Sequence, residues 1–186
     1  MNYSSIKSYA KINLALNVTG KTSGLHQIES IVGFVSLHDV ILIKKIQSKK
    51  HVISFNGKYS KNIYKKNTIS KLLKILEKKN LLADHKFEIK VKKHIPSKSG
   101  LGGGSMNAAN ILKYLIKKKF IKPSKRQLIH ICKSIGSDVV LGLNSTFTVL
   151  KSNNQIKEFK NCKKFYVLIV KPSFGCSTKE IYSSVK

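Results

Sequence analysis

The run Ile95-Pro-Ser-Lys-Ser-Gly-Leu-Gly-Gly-Gly-Ser-Met-Asn-Ala-Ala109 decides how the rest of the chain is read. Gly100, Gly102, Gly103 and Gly104 stand between an alternating strand pattern, Phe87, Ile89 and Val91, and a helical stretch, Met106 to Lys118. Glycine tolerates positive φ and close backbone approach, so successive N–H groups can converge on an anion. The following helix adds the positive end of its dipole. Ser105 offers a hydroxyl to a phosphate or to its metal. The run therefore reads as a phosphate cradle. It is not a Walker A loop, because no Gly-Lys-Ser/Thr follows, and no G-x-G-x-x-G can be read in it.

Upstream of the cradle the chain reads mostly as strands. Ser8 to Val18 alternates in part, with Ile12, Leu14, Leu16 and Val18 on one face. A loop with Gly20 and Gly24 as breakers should follow. Ile28 to Phe34, Val40 to Ile46 and His51 to Phe55 look like further strands, and Asn56-Gly57 like a turn. The period then changes. Ile69, Leu72, Leu73 and Leu76 share one helical face over Asn67 to Lys79, with Asn67 as N-cap.

Downstream, Ser124 and Gln127 form a capping box that opens a helix ending near Gly136. Thr146 to Leu150 and Phe165 to Val170 read as strands. Ser177 and Glu180 form a second capping box. The pattern is mixed α+β, without strict βαβ alternation.

The formal net charge is +28. Such a charge taken alone suggests nucleic acid or an anionic surface. Its texture argues otherwise. Arg126 is the sole arginine, and arginine is the residue favoured for fork-like reading of phosphates and bases. The lysines are scattered along the whole chain, alongside abundant isoleucine and asparagine, as an adenine- and thymine-rich coding bias would produce. A small anionic substrate is compatible with the charge. Cys132, Cys162 and Cys176 are odd in number and contain no C-x-x-C, which suggests reduced, partly buried thiols. No stretch approaches the ~20 apolar residues of a membrane span. The N-terminus lacks an apolar h-region, so a cytoplasmic protein without a membrane partner is expected.

The glycine run resembles the ATP-binding motif of the GHMP kinase superfamily, Pro-x-x-x-Gly-Leu-Gly-Gly-Gly-Ser-x-x-Ala-Ala. Three other segments add to the likeness. Tyr9-Ala-Lys-Ile-Asn-Leu-Ala-Leu-Asn-Val-Thr-Gly20 resembles the family's opening strand. Ile135-Gly-Ser-Asp-Val139 is similar to its Gly-Ala/Ser-Asp-Val, although Val140-Leu-Gly142 replaces the usual Pro-Phe-Phe. Tyr166-Val-Leu-Ile-Val-Lys-Pro172, with Gly175-Cys-Ser-Thr-Lys-Glu-Ile-Tyr182, resembles a strand and a Val-Ser-Thr-x-x-x-Tyr/Phe segment. The branch it most resembles phosphorylates a cytidine diphosphate derivative.

The resemblance implies roles for particular residues. Pro96, Ser97, Lys98, Ser99, Gly100, Leu101, Gly102, Gly103, Gly104, Ser105 and Met106 would bind ATP. Lys11 and Asp138 would be catalytic. Asn13, Leu25, His26, Thr178 and Tyr182 would meet the substrate, with His26 bonded to the cytosine and Leu25 replacing a stacking tyrosine. Base–aromatic stacking is worth ~1–3 kcal/mol, so the leucine should cover the base less well. Taken alone, Lys11 reads as a solvated strand lysine, Asp138 as a turn residue after Gly136 and Tyr182 as an aromatic on a helix face.

The implied reaction is transfer of the γ-phosphoryl of ATP, with Mg2+, to the 2-hydroxyl of 4-diphosphocytidyl-2-C-methylerythritol in non-mevalonate isoprenoid synthesis. The implied fold is the GHMP N-terminal domain, ribosomal protein S5 domain 2-like, over residues 1–160. Residues 161–186 would begin a ferredoxin-like C-terminal domain that the chain does not complete. A different GHMP kinase, a non-catalytic relative and a basic nucleic-acid-binding protein are the competing readings.

Overall fold

The computed structural model describes residues 2–22, 25–61, 63, 66–144, 146–152, 155–159 and 166–172, with the backbone alone at 22, 25 and 26. Two long strands organise it. β1 (Ser4–Thr22) runs antiparallel to β2 (Leu25–Ile46) from Ser4↔Ile43 to Thr22↔Leu25. The expected break at Gly20 does not occur, because Gly20 still pairs with Gln27. Likewise, the two strands expected over 28–46 are one. β2 offers its other edge to two partners. β4 (Lys86–Lys92) pairs with Val40–Ile46, and β5 (Phe147–Leu150) pairs with Ser30–Val32. β3 (Val52–Asn56) lies parallel to β4, and β6 (Ile156–Phe159) completes the sheet beside β5.

Among the described residues, three α-helices accompany the sheet. α1 (Thr68–Lys78) starts where expected, with the Asn67 side chain accepting from the N–H groups of Ile69 and Ser70. α2 (Gly103–Lys117) starts three residues before the expected helix, inside the glycine run. α3 (Lys125–Ile135) has the expected Ser124/Gln127 capping box. The core forms between these helices and β2 and β4. Ile41, Ile43, Phe87, Ile89 and Val91 meet Leu72 and Leu76 of α1, Ile111, Leu112 and Leu115 of α2, and Ile131 of α3. Truncating one of these buried leucines to alanine would destabilise the domain by roughly 2–5 kcal/mol.

Two strand expectations need correction. The single face expected for Ile12, Leu14, Leu16 and Val18 is interrupted: Ile12 packs beside Ala10, Ile95 and Leu101, whereas Leu14 is 43% and Leu16 38% exposed. The register shifts at Tyr9/Lys11, Asn13/Ala15 and Val18/Gly20, so bulges break the period of two. Phe165 lies outside the described residues, and Tyr166–Val170 form no strand; Tyr166, Leu168 and Val170 stand in solvent, with no described strand paired to them. Strand propensity alone does not make a strand where no described neighbour pairs with it. The second capping box, at Ser177 and Glu180, falls outside the described residues.

Candidate active site

The first bulge of β1 places a buried lysine beside the glycine run. In a regular strand consecutive side chains point to opposite faces. Here Ala10 is fully buried and Lys11 is 6% exposed, so both neighbours turn inward across the Tyr9/Lys11 irregularity. The backbone N–H of Lys11 donates to the carbonyl of Leu101 over 3.1 Å, which ties β1 to the loop. Ala10, Ile95 and Leu101 form a small apolar cluster beneath that junction.

Gly102 is the N-cap of α2 and has φ of +66°. That conformation disfavours any residue with a Cβ. An added Cβ would also stand 2.9 Å from Cγ of Lys11 and 3.6 Å from Oδ2 of Asp138. No side chain caps α2, and its first turn carries no acidic residue. The first N–H groups of a helix lack partners within it, so this end can receive an anion. The packing on the other side is equally close. Thr68 Oγ1 donates to the carbonyl of Gly104 over 2.8 Å, so the start of α1 braces the same turn.

Asp138 arrives from the opposite direction. α3 ends at Ile135 and the backbone turns through Gly136 into a short 3-10 turn, Ser137–Val139. Lys71 Nζ of α1 donates to the Ile135 carbonyl over 3.3 Å and steadies that exit. Asp138 Oδ2 then lies 3.5 Å from Lys11 Nζ, which also donates to Asn13 Oδ1 over 3.3 Å. The lysine is nearly buried and the carboxylate about one-third exposed. One charge is thus fixed by the fold while the other opens toward the space before Gly102. After Val139, Leu141 and Gly142 pack inward, with Gly142 against Ala109 and Met106 of α2. The departure from the family's Pro-Phe-Phe is accommodated as backbone close-packed on that helix.

The structure therefore brings together Lys11, Asn13, Asp138, Leu101, Gly102, Gly103, Gly104 and Ser105. Ser105 Oγ lies 3.6 Å from where a Cβ of Gly136 would stand, at the foot of the Asp138 turn. Pro96 to Gly100 form the approach to the loop, where Ser99 Oγ donates to the Pro96 carbonyl over 2.8 Å and Lys98 has φ of +53°. Met106 is fully buried below. Leu25 and His26 pair with Thr22 and Lys21 at the tip of the β1–β2 hairpin, and their side chains are outside the description. Thr178 and Tyr182 lie outside the described residues.

Sequence reasoning missed the support beneath the loop. Asp39 of β2 is fully buried and bonded to Lys93, His94, Ile95 and Asn107. An aspartate directly before the apolar run Val40–Ile43 was the available signal.

Residues 67–150 match the family described as GHMP kinases N terminal domain. The chain is 60% identical over 185 residues to a 4-diphosphocytidyl-2-C-methyl-D-erythritol kinase of Pelagibacter ubique (strain HTCC1062), covering all of this chain and 66% of that protein. It is 34% identical over 180 residues to the kinase of the same name from Clostridium beijerinckii, covering 95% of this chain and 63% of the relative. The chain thus spans just under two thirds of these relatives. A crystal structure of 4-(cytidine 5'-diphospho)-2C-methyl-D-erythritol kinase superposes with a TM-score of 0.70 at 22% identity, covering 98% of this chain and 65% of that one. The Methanococcus jannaschii mevalonate kinase gives 0.58 at 16% identity, over 86% and 56%. These structural likenesses speak for the fold. Among the described residues no helix is long and apolar enough to cross a membrane.

Proposed function

The chain belongs to the GHMP kinases, and from that membership we propose that it transfers the γ-phosphoryl of ATP to the 2-hydroxyl of 4-diphosphocytidyl-2-C-methylerythritol. The observation that carries the reading is the convergence of Lys11 and Asp138 on Gly102, the residue that opens the phosphate-facing helix. The 60% identity to a kinase of that name favours this acceptor over those of other superfamily members.

Phosphoryl transfer needs positioning and charge stabilisation more than covalent chemistry from the protein. The loop from Pro96 to Met106 holds the phosphates against the first turn of α2. Asp138 orients the acceptor hydroxyl and accepts its proton. Lys11 neutralises the carboxylate on one side and the charge developing on the transferred group on the other. Asn13 Oδ1 accepts a further hydrogen bond from the lysine's ammonium and helps to hold it in place.

Mg2+ supplies charge neutralisation on the β- and γ-phosphates when bound with the nucleotide. It is a hard cation that keeps water and phosphate oxygens as ligands, so it does not require a cage of protein carboxylates. The Ser105 hydroxyl, beside the loop, is an oxygen donor that would fit it.

His26 and Leu25, with Thr178 and Tyr182, form the cytosine side of the site in this reading. Residues 1–160 are assigned in this reading to the ATP-binding and catalytic domain. The test is acceptor discrimination. ADP release from MgATP is measured with diphosphocytidyl-methylerythritol, mevalonate or homoserine. Turnover confined to the first acceptor supports the reading. Turnover with either of the others instead refutes the assigned substrate.

A further inference from the structure

We propose that Asp39 is the positioning residue of the phosphate loop, anchoring both of its ends through one buried carboxylate. The inference rests on reading that loop as a nucleotide site. Asp39 sits in β2, opposite Ser8 of β1, and is fully buried. Its Oδ1 accepts the backbone N–H groups of His94 and Ile95, each over 2.8 Å. Its Oδ2 accepts from Lys93 Nζ and, over 2.9 Å, from Asn107 Nδ2. An ionised carboxylate has about four acceptor positions, so these donors match its capacity.

The four donors come from the two flanks of one segment. Lys93, His94 and Ile95 lead from β4 into the loop, and Asn107 belongs to the second turn of α2, just beyond it. The bonds therefore fix the distance across which Pro96–Ser105 must arch. His94 is held a second time, its Nδ1 donating to the His38 carbonyl over 3.0 Å.

The position of Lys93 shows why an acid is needed there. Its Nζ lies 3.2 Å from where a Cβ on Gly103 would stand, under the first turn of α2. A cation at the positive end of a helix is unfavourable, and a buried one without a partner is more so. Asp39 neutralises it and leaves the outward N–H groups of the loop to a ligand. Asp39 touches no reacting atom. It acts through the loop that it holds.

The experiment is amide hydrogen exchange on the 186-residue chain, read by peptide, with MgATP titration in parallel. Asp39→Asn keeps the shape but presents an amide donor to Lys93 or Asn107. The paired Asp39→Leu/Lys93→Met removes both charges and leaves no buried cation, so it remains informative if the single variant does not fold. We expect residues 94–106 to exchange at least tenfold faster while α1 and α3 keep their protection, and ATP affinity to fall at least tenfold. Wild-type exchange over 94–106 in a folded variant would overturn the proposal. So would an even loss of protection over the whole chain in both variants, which would make Asp39 an ordinary core residue. If the loop loosens as expected but the wild-type chain binds no ATP, the anchoring stands and the nucleotide reading fails.

Discussion

The backbone N–H of Lys11 donates to the carbonyl of Leu101 over 3.1 Å, which ties the strand bearing the lysine to the glycine loop. The next loop residue completes the fit. Gly102 lies over the Lys11 side chain with φ of +66°, leaving no room for a methyl group. Gly102→Ala should therefore act on both backbone and lysine. The left-handed conformation costs roughly 1–2 kcal/mol for a residue with a Cβ. The displaced ammonium should lower turnover by about 10²-fold, as an ångström-scale misplacement does. Thermal unfolding and steady-state kinetics of this variant measure the two effects separately.

A pH effect on stability is expected from His51. Its Nδ1 accepts the backbone N–H of Phe87 over 3.0 Å, its ring stacks on Phe87, and its Nε2 lies 3.3 Å from Glu77 Oε1. Burial pushes its pKa below the ordinary 6.5, with Glu77 opposing and Lys86 assisting the shift. The unfolded chain then binds the proton more readily than the folded one. The histidine's contribution is complete above about pH 6.5 and is lost as pH falls toward its lowered folded value. Urea unfolding between pH 7.5 and 5 should show stability declining in that window, and His51→Gln should flatten the decline. Glu77, held below the ordinary 4.5 chiefly by its hydrogen bond from Lys86, acts in a separate window below about pH 4.5.

Cys132 should be chemically silent in the folded state. It packs in the core with Ile131 and Ile135, and burial raises its thiol to about 11. The thiolate is the reactive species, so a disulfide reagent at pH 8 should leave Cys132 unmodified until denaturant is added. Mass mapping of the labelled peptide checks this. Rapid labelling of Cys132 in native buffer would contradict the packing.

Much of this fold was legible because local chemistry and tertiary need coincide. Asn67 and Ser124 cap the helices that their positions announce, and Ile69, Leu72, Leu73 and Leu76 face the core that their spacing implies. The glycine run pointed to the candidate site for the same reason: several adjacent glycines are costly in an element interior. What stayed hidden depends on partners distant in sequence. The bulge that turns Lys11 inward lies in the pairing with β2, so alternation within β1 alone could not show where its single face breaks. The role of Asp39 depends on Lys93 and Asn107 meeting it from β4's exit and α2. Propensity likewise suggested a strand at Tyr166–Val170, whereas a strand is a property of a pair.

The central claim is that Lys11 and Asp138 form the catalytic pair of a phosphotransfer site. Its most direct test is transfer of labelled γ-phosphoryl from ATP to 4-diphosphocytidyl-2-C-methylerythritol by the 186-residue chain, with Lys11→Ala and Asp138→Asn alongside. The account predicts labelled product from the wild type. It predicts a loss of about 10²–10⁴-fold in the Asp138 variant, the range of a positioned acid–base group, and a comparable loss in the Lys11 variant. Turnover in either variant at the wild-type rate, with the fold intact, would contradict it.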